Sequence, residues 1–410
     1  MKSELIRDRS ILDEFVKSSP SVHYMKTSMW GEFRRQTAKE TYEMLGFYEE
    51  DGTLRATAMV LLGSFMGHSY AYVPWGPAMD YTDEELRKEV FTLLKQYAEQ
   101  KQVTFLRTDP NVVRCHHQID GPVIDDGFSN EAVTEELKQL GYRHKGYGYA
   151  YNGSWTNRFT LIADLSGSMD EIVSHYAKAR RTSLNRHRII GVSTRIGSEA
   201  DLPALMEFET MLAEQDGFKP HPKKFFQALL ESFGNHAVLY VTDINLRQMV
   251  QGIETELESG KYDKDPEAKA SKEKQLAYAG DLLSEYGASV PIACGLFIRY
   301  GKMSWDLYTY NHKEFSFVQP VDNLHRFAME DMKSHGVTRY DMCGFSGVTT
   351  KDDPEYGLYA YKKSFGPEFI EQIGEFDYPV KAKGYESFLK QKDFEVRARH
   401  KWWKIAYRRK

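Results

Sequence analysis

Three short apolar-rich runs, Met44–Tyr48, Ala56–Leu62 and Ser69–Val73, are separated by Asp51-Gly52 and by Gly63 and Gly67. Runs of this length between turn residues predict a meander of β-strands. The period then changes: Leu86, Val90, Leu93, Leu94 and Tyr97 recur at helical spacing behind an acidic first turn, which predicts a helix over 83–100. Val103–Arg107 follows as a compact apolar run ending at Thr108-Asp109-Pro110, the pattern of a buried strand.

The same order returns about 200 residues later. Pro291–Arg299, a turn at Tyr300-Gly301 and Ser304–Tyr310 predict a hairpin; Val321–His335 predicts a helix, and Val337–Asp341 a strand. Tyr72 and Asp109, and Tyr308 and Asp341, stand at comparable places in the two runs. The repeat points to two related α/β units, each a mixed sheet with a helix returning between strands. An insertion interrupts the second. Leu246, Val250, Ile253 and Leu257 step by helical intervals, as do Leu276, Ala279, Leu283 and Tyr286, with a charged turn between them. Two narrow apolar seams among charged faces predict an antiparallel, coiled-coil-like helical arm projecting from the body. The expected organisation is therefore a first unit over 1–150, a second over 151–242 and 288–385, the arm over 243–287 and a basic tail over 386–410.

Composition narrows the class. With 410 residues, 41% apolar and 28% charged, the chain reads as a globular protein of two domains. It shows no run of about 18 apolar residues, and its charged first ten residues do not read as a signal peptide, so it is expected to stay in the cytoplasm. Cys115, Cys294 and Cys343 are odd in number and widely spaced, and are expected to be reduced core thiols. The net charge is −5, yet residues 396–410 hold seven cations and no acid, leaving the remainder at −12. Trp402, Trp403 and Tyr407 accompany those cations. Such a segment suits the anionic inner leaflet of a membrane, with single-stranded RNA as the competing partner.

Chemistry is sparser. His116-His117 beside Cys115 reads as a polar loop, because neighbouring residues point apart and no second ligand pair stands at helical spacing; no metal and no cofactor are expected. A Gly-Xaa-Ser-Xaa-Gly elbow and a phosphate-binding glycine loop are both missing. Arg188-Ile-Ile-Gly-Val-Ser193 approaches an acyl-CoA pyrophosphate loop, but it leaves a helix and enters a strand, the reverse of that motif. Lys178, Arg180, Arg181, Arg186 and Arg188 fall within eleven residues without an acid. On a helix they form a face suited to phosphates, either of RNA or of a pyrophosphate-linked substrate. Lys362, in Tyr361-Lys-Lys-Ser-Phe-Gly366 after a glycine-rich loop, is placed at a strand start; its charge suits a developing oxyanion, although paired surface lysines are ordinary.

Taken in order, Trp30-Gly-Glu-Phe-Arg34, Tyr72-Val-Pro-Trp-Gly-Pro-Ala-Met-Asp80, Phe105-Leu-Arg-Thr-Asp-Pro110, Lys178-Ala-Arg-Arg181 leading to Gly191-Val192, Tyr361–Gly366 and Gly374-Glu-Phe376 resemble the FemABX family, in particular its MurM-like members. The likeness covers nearly the whole chain. It implies two acetyltransferase-like (GNAT-like) subdomains with a helical arm in the second. It also implies transfer of an amino acid, without ATP, from aminoacyl-tRNA to an amine on the stem peptide of the lipid-linked peptidoglycan precursor.

The roles implied by the resemblance follow residue by residue. Lys362 stabilises the transition state, and Tyr361 stands where an aromatic stacks. Asp109 is an active-site carboxylate that positions or deprotonates the amine. Arg34 replaces the usual precursor-binding lysine; Trp30 and Tyr308 join the substrate-binding set. His221 and Phe225 stand where some members carry Arg and Tyr, and Trp75 replaces a basic residue. Lys178, Arg180, Arg181 and Arg186 are the expected tRNA contacts. A non-catalytic tRNA- or precursor-binding protein on the same fold, and an acyl-CoA N-acyltransferase, are the rival readings.

Overall fold

The computed structural model describes residues 1–149 and 154–393. The chain divides into two compact units. The first comprises 1–162, 344–360 and the chain from 368; the second comprises 163–343 and 361–367. Segments 344–360 and 368–385, expected in the second subdomain, thus pack with the first. The reason is visible in the pairing: strand Glu368–Gln372 lies antiparallel between Val113–His116 and residues 159–162, and strand Phe376–Pro379 between Phe105–Thr108 and Arg143–His144.

In the first unit the predicted meander is present as Thr41–Tyr48, Leu54–Phe65 and His68–Val73. It forms the middle of a seven-stranded sheet whose outer strands are Lys2–Leu5 and Arg143–His144. The helix Glu84–Gln100 starts where Asp83 accepts a hydrogen bond from the Leu86 N–H at 3.0 Å. Its Leu86, Val90, Phe91 and Leu94 pack on the sheet with Leu45, Phe47, Val60 and Leu106. Two helices not foreseen from the pattern, Arg9–Ser18 and Ser28–Thr37, precede the meander. Thr27 caps the second and so sets the phase that brings Trp30 and Arg34 to the same side, one turn apart.

In the second unit the predicted hairpin is Ser289–Tyr300 and Met303–Asn311, the helix is Pro320–Ser334, and the strand is Arg339–Phe345. The topology matches the first unit: antiparallel hairpin, helix, then a strand parallel to the hairpin's second arm. The register does not match. Tyr72 pairs with Arg107, while Asp341 pairs with Trp305 rather than standing near Tyr308 in the ladder. The order of elements repeats; the placement of the carboxylates does not.

The insertion is a helical hairpin, Leu246–Glu258 and Pro266–Tyr286. Asn245 and Asp265 cap the two starts, and Gly287 closes the second helix at φ +80°. Its seam includes the predicted Ile253 and Ala279, with Met249 and Leu282 buried more deeply than the predicted Leu257 and Leu276. The base of the arm is not free-standing: Leu246, Met249 and Ile253 share a core with Ile190, Ile244, Phe315 and Val318. A helix over 382–393 is the last described element. Residues 396–410, the cationic tail, lie outside the described residues.

Candidate active site

In the first unit a cavity of ≈ 280 Å³ is lined by Met25, Trp30, Arg34, Glu40, Tyr70, Tyr72, Trp155 and Thr156, among others. The helix Ser28–Thr37 supplies Trp30 and Arg34, the sheet supplies the two tyrosines, and Trp155 stacks edge-on against both at 4.8 and 4.9 Å. The Arg34 guanidinium lies 5.9 Å from the Trp30 ring centre, and its Nε donates to Glu40 Oε2 at 2.6 Å. The other Glu40 oxygen accepts from the Tyr70 hydroxyl. With Nε engaged, the two terminal nitrogens are the donors suited to a ligand carboxylate or carbonyl. Among the described residues, the buried indole N–H of Trp30 has no acceptor. An extended peptide would bring carbonyls for both.

Thr156 lines this cavity and an adjoining one that contains Asp109, Trp75 and Glu375. Its hydroxyl donates to Asp109 Oδ2 at 2.6 Å, and the Trp75 N–H donates to Oδ1 at 3.0 Å. Trp75 sits at φ +57°, so Asp109 also secures a strained turn. Burial pushes the Asp109 carboxyl up to about 7, against the two hydrogen bonds that favour its ionised form and with help from the nearby Glu375 charge. A carboxyl titrating near neutrality is poised for proton transfer.

The second unit holds the lysine. Residues Tyr356–Lys363 are helical, so Lys362 stands in a last helical turn, 8% exposed, and not at the strand start expected. Its ammonium donates to the Cys343 carbonyl at 3.1 Å. Cys343 interrupts its strand at φ +61°, and its own N–H is held by Asp341 Oδ1 at 2.7 Å. A left-handed non-glycine residue inside a strand is strained, and here the strain turns a carbonyl toward Lys362. Asp306 feels the Lys362 charge; burial nevertheless lifts its carboxyl to about 6. His325 is driven down to about 3 by burial and by Lys362 and Arg180, so it is neutral at any physiological pH. Its Nδ1 lies 2.6 Å from the Tyr340 hydroxyl.

Tyr361 is half-buried next to this lysine in the chain, with the Arg180 guanidinium 4.9 Å from its ring centre. Arg180 also pairs with the buried Asp322, so its charge is spent within the fold. Arg181 donates to the carbonyls of Ser174 and Tyr176, both at 2.7 Å, bracing the start of helix Lys178–Ile189. Lys178 and Arg186 are exposed. His221, Phe225 and Tyr308 do come together, with ring centres 4.1 to 5.8 Å apart. The fully buried Glu209 anchors them, accepting from His221 Nδ1 at 2.6 Å and from the Tyr310 hydroxyl at 3.1 Å. Sequence reading missed Glu40, Trp155, Thr156, Glu209, Asp306 and His325. Only Asp306 left a signal, standing two residues before Tyr308 in the repeated hairpin.

A mixed α/β protein with two sheets, a repeated hairpin–helix–strand order, an inserted helical hairpin and a buried lysine beside a kinked strand defines a narrow structural class. The chain belongs to the FemAB family, whose model matches residues 8–390. A relative from Staphylococcus haemolyticus, a lipid II:glycine glycyltransferase, is 23% identical over 400 residues, covering 91% of this chain and 92% of its own. A protein of the same name from Staphylococcus aureus strain bovine RF122 / ET3-1 is 23% identical over 405 residues with the same coverage. The solved structure of FemX superposes with a TM-score of 0.78 at 22% identity, over 94% of this chain and 99% of FemX, and shares its fold. Among the described residues no helix is long and apolar enough to cross a membrane.

Proposed function

We propose that this protein transfers an amino acid from the 3′ ester of aminoacyl-tRNA to an amine on the stem peptide of the lipid-linked peptidoglycan precursor, forming part of an interpeptide bridge. FemAB membership over nearly the whole chain supports the reading, as do relatives named for glycyl transfer involving lipid II. The single structural observation that carries it is the peptide-sized cavity of Trp30 and Arg34 that reaches Asp109 through Thr156.

The reaction is ester aminolysis. The neutral amine attacks the ester carbonyl and the C–N bond forms; the carbonyl electrons move to oxygen, giving a tetrahedral oxyanion. Collapse breaks the bond to the ribose oxygen, which leaves with the proton the amine gives up. In this assignment Arg34 and the Trp30 N–H hold the acceptor peptide, and the Asp109 carboxylate takes the amine proton. Lys362 supplies positive charge for the oxyanion. Lys178 and Arg186, two exposed cations of the basic helix, take tRNA phosphates, and the tail over 396–410 takes the inner-leaflet surface.

Incubating the purified protein with a mixture of charged tRNAs and lipid-linked precursor, then weighing the product, tests the proposal. The expected product is heavier by amino-acid residues and requires tRNA. Acetyl-CoA turnover without tRNA, or binding of both substrates with no transfer, would replace it with one of the rival readings.

A further inference from the structure

Cys115, His117 and Glu371 bring a thiol, an imidazole nitrogen and a carboxylate oxygen together in the first unit, all three residues buried. Cys115 and His117 stand two apart along an extended segment and so face one side. Glu371 arrives from the strand Glu368–Gln372, where it pairs directly with Cys115. His117 Nε2 lies 2.5 Å from Glu371 Oε2 and 3.5 Å from Cys115 Sγ, and Sγ lies 3.3 Å from the same carboxylate oxygen.

The other ring nitrogen decides what belongs between them. His117 Nδ1 is 2.7 Å from the Gly121 carbonyl, which can only accept, so Nδ1 carries hydrogen. Nε2 of the neutral ring therefore presents a lone pair to a carboxylate oxygen at contact distance. Two lone pairs require a cation between them, either a proton or a metal. The surroundings are built like the outer shell of a metal site. The Gly121 carbonyl fixes the imidazole, Phe369 stacks on it at 4.6 Å, and Arg114 and Arg158 hold the remote Glu371 oxygen, leaving Oε2 for the cluster.

We propose that Cys115 Sγ, His117 Nε2 and Glu371 Oε2 form a binding site for a divalent zinc-type ion. A thiolate, an imidazole and a carboxylate are the donor types zinc prefers, and three protein ligands leave one position for water. Charge also balances. The ion replaces the thiol proton and the proton held between Nε2 and Oε2, so two positive charges enter and two leave, and the Arg114 and Arg158 ion pairs persist unchanged. Ligand atoms of a tetrahedral zinc site lie roughly 3.3 to 3.7 Å apart from one another, given bonds of ~2.0 to 2.3 Å. The two contacts of the sulfur already fit, and the nitrogen–oxygen contact has to open. Bound metal would pin the 117–123 loop to the strand carrying Glu371.

Cobalt(II) is the probe, since a thiolate ligand gives it a charge-transfer absorption. Titrating the tag-free, metal-stripped full chain should give one equivalent of cobalt with that absorption, displaced by zinc. The Cys294→Ala control should keep it, and Cys115→Ser should lose it. Zinc should also raise the melting temperature of the wild type and of Cys294→Ala, and not that of Cys115→Ser. A wild-type titration with no stoichiometric absorption overturns the proposal whatever the variants do, as does absorption that survives Cys115→Ser.

Discussion

Lys362 ends a helix, so its ammonium lies near the carbonyl end of the helix dipole as well as against the Cys343 carbonyl. Methionine keeps most of the side chain's volume and removes the charge. Lys362→Met is expected to lower turnover on the order of 10²-fold or more, the scale of a lost oxyanion donor, while the melting temperature stays close to wild type. Steady-state kinetics beside a thermal melt check it; near-normal turnover removes Lys362 from the chemistry. Asp109 gives a prediction in pH. Its carboxyl titrates near 7 in the fold against 3.8 for an ordinary aspartate, so the fold binds its proton more tightly than the unfolded chain does. The stability it contributes is complete below about pH 4 and is lost as pH rises through 7. Asp109→Asn should flatten denaturant stability across that window. If the carboxylate is the base, kcat/KM rises with one proton through about pH 7 in the wild type, and that limb disappears in Asp109→Asn. The partners that set this behaviour are remote in sequence: Thr156 lies 47 positions from Asp109, and neither spacing nor composition links them.

Among elements, the basic helix separates into two roles that the sequence could not distinguish. Arg180 is committed to Asp322 and to the Tyr361 ring, whereas Lys178 and Arg186 face solvent. Arg180→Glu should destabilise the protein by roughly 3 kcal/mol, because it leaves Asp322 buried beside a like charge. Lys178→Glu with Arg186→Glu should leave the melt unchanged and reduce the slope of log affinity for charged tRNA against log salt by about 2. An unchanged slope returns those two residues to ordinary solvated cations. The long elements were legible because their periods are long: the meander, Glu84–Gln100, the second hairpin and both arm helices emerged near their observed ends. Lys362, expected at a strand start after a glycine-rich loop, stands instead in the last turn of helix Tyr356–Lys363, which packing of Tyr359 with Phe345 and Phe369 seats on the core. Arg9–Ser18 and Ser28–Thr37 were missed because each is only ten residues long and charged along much of its length.

At the scale of the whole molecule, charge predicts where the protein works. Removing 396–410 would take the net charge from −5 to −12, since those residues carry seven cations and no acid. The deleted protein should no longer sediment with anionic vesicles yet should still transfer to a soluble precursor analogue; vesicle binding that survives the deletion sinks the membrane role. What no local pattern disclosed is that the first unit is assembled from three stretches of chain. Its sheet closes only when Phe376–Pro379 slots between Phe105–Thr108 and Arg143–His144, and the buried Arg107 finds its bidentate partner in Asp377, 270 positions on. A ribosome adding roughly 5 to 20 residues per second therefore exposes a gapped sheet and an uncompensated buried arginine for about 10 seconds or more before the matching strand emerges. The N-terminal half is born first but finishes last, and the nascent chain spends that interval as a natural client for chaperones.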